Sequence, residues 1–138
     1  MIHFLLFTAL LVPSSPPDLK QWLANNQWQH RLVLVYAPTD SDPDLKRQRA
    51  LLATASAGLA ERDLLVRELL ADQLPDEDRA FLAQTLRITG STFRVLLIGK
   101  DGGVKTRQTS PITPKQLFDT IDGMYMRQQE MKNRRSKS

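Results

Sequence analysis

The sequence predicts an α/β domain, a three-layer sandwich in which a mixed four-stranded sheet carries flanking helices. Three observations predict it. Arg31–Pro38 and Phe93–Gly99 are continuous apolar, β-branched runs, as strands covered on both faces read. A helical pattern separates the first two strand candidates, which makes that pair parallel. Lys100-Asp101-Gly102-Gly103 joins the last two as a hairpin, which makes them antiparallel.

The elements follow in order. Pro16-Pro17-Asp18 opens a short helix over 17–26, with Leu19, Trp22 and Leu23 on one side. Arg31–Pro38 is the first strand, stopped by its proline. In the turn Thr39–Asp44, Asp42 suits an N-cap, Pro43 the first helical position and Asp44 the positive end of the helix dipole. Leu45, Leu52, Ala55 and Leu59 recur at helical spacing and extend this helix to about Gly58. Asp63–Leu70 is the second strand. Acids at 76–78 open a further helix carrying Phe81, Leu82 and Leu86, which ends near Gly90. After the third strand and the glycine turn, Val104–Thr109 returns with polar alternation, as an edge strand does. Thr113-Pro114-Lys115-Gln116 is a capping box. Behind it Leu117, Phe118, Ile121, Met124 and Tyr125 share one broad helix face, and disorder is expected from about Asn133.

This β–α–β–α–β–β–α order is the thioredoxin layout, so the expected fold is a thioredoxin-like three-layer sandwich. The 138 residues fit one domain, with 41% hydrophobic and 25% charged side chains. Expected boundaries are 1–14 for a signal peptide, 17–131 for the domain and 132–138 for a basic disordered tail. The net charge of +4 belongs to that C-terminal end. Arg127, Lys132, Arg134, Arg135 and Lys137 face only Glu130 there, and the rest of the chain is electrically balanced. A nucleic-acid-binding body would instead carry a basic stripe.

The apolar run Ile2–Val12 is too short to span a bilayer as a helix. It reads as the core of a secretory signal cleaved before Ser15, although no Lys or Arg precedes it. The other reading is a buried first strand or helix.

Chemistry is bounded first by composition. The chain has no cysteine, which excludes disulfides, thiolate nucleophiles, Fe–S clusters and cysteine-ligated zinc. In thioredoxin-like redox enzymes the reactive thiol sits just after the first strand, where the helix N-terminus lowers its pKa. Thr39-Asp40-Ser41-Asp42-Pro43 occupies that place here. A carboxylate or hydroxyl cannot replace sulfur in disulfide exchange. The Gly90-Ser91-Thr92 loop also lacks the proline that redox thioredoxins place before the third strand.

Asp40, Asp42 and Asp44 alternate, but helix capping accounts for them. A calcium loop would need glycine and glutamate where Leu45 and Leu51 stand. His30, the last histidine if the leader is removed, has no evident ligand or triad partner. No cofactor and no metal site is expected. Arg62-Asp63 reads as a local ion pair or turn anchor, or as an anion contact near the C-terminal end of the sheet. Lys100 sits in a structural turn but could touch a partner. The candidate partner or anion contacts are Thr39, Asp40, Arg62, Lys100 and Arg127.

Trp28, Arg31–Pro38, Arg62-Asp63, Leu97-Ile98-Gly99-Lys100-Asp101-Gly102-Gly103-Val104-Lys105 and Ile121-Asp122-Gly123-Met124-Tyr125-Met126-Arg127 carry a family resemblance. Over about residues 19–130 the chain resembles the bacterial DUDES-type domain of unknown function, related to the domain of sushi-repeat-containing proteins and equarin. Tyr125 stands where that family usually has proline. The resemblance implies a thioredoxin-like fold and frequent export, with no settled activity. The expected function is a protein or peptide interaction module. The alternatives are an oxidoreductase-like enzyme or redox accessory using a partner thiol or bound ligand, and a contact of the basic tail with an anionic membrane or, non-specifically, nucleic acid.

Overall fold

The computed structural model describes residues 18–137. The run Ile2–Val12 and the expected cleavage before Ser15 lie outside the described residues. The elements are α1 (Leu19–Asn26), β1 (Arg31–Ala37), α2 (Pro43–Ala53), α3 (Ser56–Glu61), β2 (Leu64–Leu70), α4 (Asp76–Phe81) with a π-helical turn at Leu82–Leu86, β3 (Arg94–Ile98), β4 (Val104–Gln108), α5 (Pro114–Asp122) and α6 (Tyr125–Ser136). The sheet order is β2-β1-β3-β4. β1 and β2 are parallel, in the register Arg31↔Leu64 to Ala37↔Leu70. β3 runs antiparallel to both β1 and β4.

Every residue of β1 is buried, because β1 is central and covered on both faces. Val33, Val35, Leu97, Leu45, Leu52, Leu117 and Ile121 form the core beneath α2 and α5. Leu32, Leu34, Leu96, Leu19, Leu82 and Ile88 form the core beneath α1 and α4. Each such aliphatic side chain contributes about 1.5–3 kcal/mol of burial. The predicted caps are present. Asp42 accepts from the Leu45 N–H, and Thr113 and Gln116 exchange both bonds of a capping box.

The structure corrects four expectations. The helix expected to reach Gly58 breaks after Ala53, where the Thr54 hydroxyl donates back to the Leu51 carbonyl. It restarts as α3 so that Gly58 lies against the Phe118 ring, where a Cβ would come within 2.7 Å. The helix expected to end near Gly90 closes earlier, at Arg87 with φ 57°. The Ile88 N–H then donates to the Leu82 carbonyl, and Ile88 turns into the core.

The last helix is two helices. A break at Gly123-Met124 redirects the chain, so Tyr125 leaves the face shared by Leu117 and Ile121 and is 75% exposed. Finally, the residues expected to be disordered from Asn133 continue α6 to Ser136. Their anchor is Arg134, whose guanidinium donates to the Glu61 carbonyl at 3.0 Å.

Candidate functional site

Two regions hold the sequence-predicted contacts, at opposite ends of the sheet. Thr39 and Asp40 lie beyond the C-terminal end of β1. Their turn closes on itself: the Asp42 N–H donates to the Thr39 carbonyl, and the Thr39 and Ser41 hydroxyls lie 3.0 Å apart. Asp40 accepts from Arg49 at 2.6 Å, and Arg49 also grips both oxygens of Glu68. The Arg49 hydrogen bond, with its positive charge, holds the Asp40 carboxyl below its ordinary value. Asp40 therefore links α2 to its own turn.

Beside this turn, on the α4 side of the sheet, opens a cleft of about 700 Å³. That is within the usual range of ligand pockets. Tyr36, Pro38, Ala71, Leu82 and Ile88 form its wall, and Asp76 and Ser91 lie among its lining residues. Two contacts hold its shape. The Tyr36 hydroxyl donates to the Gly90 carbonyl at 2.6 Å, fixing the loop before β3. Arg79 donates to the carbonyls of Ala71 and Leu74, fixing the loop after β2. The π-helical turn supplies Leu82 and Ala83 to the lining. Such turns are frequent at functional sites.

The other three predicted contacts converge at the opposite end, where β1 and β2 begin. Arg62, read from the sequence as an ion-pair or turn anchor or else as an anion contact near the C-terminal end of the sheet, lies just before the N-terminal end of β2, as a turn anchor. Its guanidinium donates to both oxygens of Asp122 (3.0 and 2.9 Å) and to the Gly58 carbonyl, and it stacks over Phe118 at 4.0 Å. Lys100 is 9% exposed and lies between Asp63 and Glu130. Arg127 is 1% exposed and binds Asp122 and Glu61. Arg31, also 1% exposed, donates to both oxygens of Glu130 at 3.2 Å and to the Arg62 carbonyl.

Each cation thus has a carboxylate. Arg31, Arg62, Lys100 and Arg127 interleave with Glu61, Asp63, Asp122 and Glu130. Bonds from Arg62 hold the Asp122 carboxyl low against burial, with help from Arg127. Lys100 does the same for Asp63. Burial pushes Glu130 up, but the bonds from Arg31 and Lys100 outweigh it and its pKa falls. Burial opposes the charge of Arg127, yet Asp122 and Glu61 raise its pKa. Local backbone serves the network. Asp63 takes φ 51°, a left-handed turn residue that Asp tolerates. The Trp28 N–H donates to the Lys100 carbonyl and pins the hairpin.

Arg31, Arg62, Asp63, Lys100, Asp122 and Arg127, which carry the resemblance, therefore form one half-buried cluster joining α3, α5 and α6 to the sheet. Sequence reasoning missed Glu61 and Glu130. The available signal was an arginine heading a buried strand, and Arg127 and Glu130 one helical turn apart. Among the described residues no group of three or more His, Cys, Asp or Glu side chains could hold a metal ion.

A family model described as a domain of unknown function, DUF4174, matches residues 22–130. Coiled-coil domain-containing protein 80 of Danio rerio is 29% identical over 140 residues, covering 84% of this chain and 16% of that protein. Sushi repeat-containing protein SRPX2 of Homo sapiens is 31% identical over 119 residues, covering 78% of this chain and 25% of that protein. The chain thus spans a quarter or less of these relatives. Reduced 2-Cys peroxiredoxin of Plasmodium vivax superposes with a TM-score of 0.59 at 14% identity, over 78% of this chain and 84% of that one. Trxlp of Edwardsiella tarda superposes at 0.56 with 21% identity, over 77% and 95%. These likenesses show a thioredoxin-like fold.

Proposed function

The chain belongs to the DUF4174 family, a domain of unknown function that here has a thioredoxin-like fold and no cysteine, and from that premise we propose that it is an exported protein- or peptide-binding module. The observation that carries the reading is the cleft at the C-terminal mouth of β1. It is open and apolar-walled, and its rim is braced by Tyr36 and Arg79. The cationic cluster at the other end is satisfied internally and offers little to an anion. The apolar run Ile2–Val12 supports export.

Ala80 is exposed and lines the cleft, so Ala80→Trp fills it from outside the core. Peptides selected from a random display library on the purified chain are expected to bind Ala80→Trp at least about tenfold more weakly, about 1.4 kcal/mol. Equal binding by the variant, with its circular dichroism unchanged, would remove the cleft from the proposal. Turnover of peroxide or a disulfide substrate by the isolated chain would replace the binding reading with an enzymatic one. For export, the intact mass of the protein secreted by its native host is expected to begin at Ser15. A species retaining Met1 rejects cleavage.

A further inference from the structure

We propose that the outer edge of β2, which no strand among the described residues covers, is a self-association surface, on which a second copy of this chain pairs its own β2 antiparallel across a two-fold axis through Val66. The parity of the β1–β2 ladder comes first. The Arg31 N–H donates to the Asp63 carbonyl, and the Ala71 N–H to the Ala37 carbonyl. In the parallel register of this pair, odd-numbered residues of β2 therefore bond to β1. The peptide groups of Leu64, Val66 and Glu68 point outward, and none has a partner among the described residues. Leu70 also points outward, but its carbonyl already accepts from Gln73 and Leu74.

The sequence of this edge suits pairing. Leu64–Leu70 is Leu-Leu-Val-Arg-Glu-Leu-Leu, without proline, lysine or a bulge. Leu65 and Val66 are 37% and 40% exposed. The opposite edge is blunted in the ways proteins protect edges. There β4 carries the exposed cations Lys105 and Arg107, and a bulge interrupts its ladder at Leu97/Ile98.

The register follows from symmetry. A two-fold axis perpendicular to a sheet pairs residues of equal parity, because paired side chains share a face. Centred on Val66, each Val66 meets its copy and Leu64 meets Glu68 of the second copy. Every outward peptide group of Leu64, Val66 and Glu68 then enters a hydrogen-bonded pair. Centring on Arg67 would set that arginine against its own copy, a destabilising like-charge pair. It would also call on the occupied Leu70 carbonyl. The edge is thus self-complementary in one register, and the dimer is a continuous sheet through both copies.

Sedimentation of the purified chain is expected to give twice the protomer mass. Val66→Lys sets like charges across the axis and should weaken dimerisation at least about tenfold, with unchanged circular dichroism. Val66→Cys gives this cysteine-free chain one thiol, facing its copy at about 5.5 Å between Cα atoms, within disulfide reach. Mild oxidation should therefore link it as a dimer, while Thr106→Cys on β4 should stay unlinked. A wild-type chain sedimenting at protomer mass overturns the proposal. So does a dimer that survives Val66→Lys, or a Val66→Cys variant that does not cross-link. None of these outcomes bears on the cleft.

Discussion

Replacing Glu130 by alanine is expected to lower the unfolding free energy by about 3–5 kcal/mol, the usual cost of removing one partner from a buried ion pair. Glu130 is the carboxylate of Arg31, 1% exposed, and of Lys100, 9% exposed. Arg31 is almost wholly buried, so truncation leaves a buried charge without its counter-ion. The loss should appear as a lower urea midpoint with little change in the denaturant slope. A midpoint shift equivalent to less than about 1 kcal/mol, the scale of a surface salt bridge, would show that these cations are solvated in solution.

The same carboxylate sets a pH dependence. Its pKa in the folded protein is below the ordinary 4.5, so the unfolded chain takes up its proton first as pH falls. The stability it contributes is present in full above about 4.5. It is lost as pH drops through the lower, folded value. Asp63 and Asp122 act with the same sign from 3.8 downward. Wild-type stability should therefore fall steeply below about pH 4.5, and Glu130→Gln should show a shallower fall. Parallel profiles would mean that Glu130 does not take part in the acid transition.

Replacing Gln48 by leucine is expected to cost about 2–6 kcal/mol, because it leaves two buried backbone groups unpaired at about 1–3 kcal/mol each. Gln48 is 1% exposed. Its amide donates to the Ile112 carbonyl at 2.9 Å, and its carbonyl accepts from the Ile112 N–H at 2.7 Å. The contact ties α2 to the segment that leads into α5. Gln48→Glu keeps the acceptor but sets an ionised carboxylate, buried and unpaired, against the Ile112 carbonyl, so at neutral pH it should be no more stable than the leucine variant. Thermal unfolding of the three proteins tests the order. A leucine variant as stable as wild type would show that apolar packing compensates the lost bonds.

The sheet and its helices were legible in the sequence because they rest on local signals. Arg31–Ala37 and Arg94–Ile98 are buried on both faces and read as unbroken apolar runs. The turn at Lys100–Gly103 and the caps at Asp42 and Thr113 depend on residues within a few positions of each other. Helix breaks at Thr54 and Met124 were not legible, since each serves a distant contact. One brings Gly58 to Phe118; the other turns Arg127 and Glu130 toward the start of the sheet.

The amino-acid sequence by itself determined the order of elements, the parallel and antiparallel pairings and the absence of thiol chemistry, because periodicity, turn residues and composition act locally. The tertiary structure alone decided the fate of the charged candidates. Arg31 and Glu130 are 99 residues apart, and Arg62 and Asp122 are 60 apart. Whether an arginine waits for a partner or already has one depends on which carboxylates the fold brings within about 3 Å. Here it brought carboxylates to Arg62, Lys100 and Arg127, and left the open cleft beside Thr39 and Asp40.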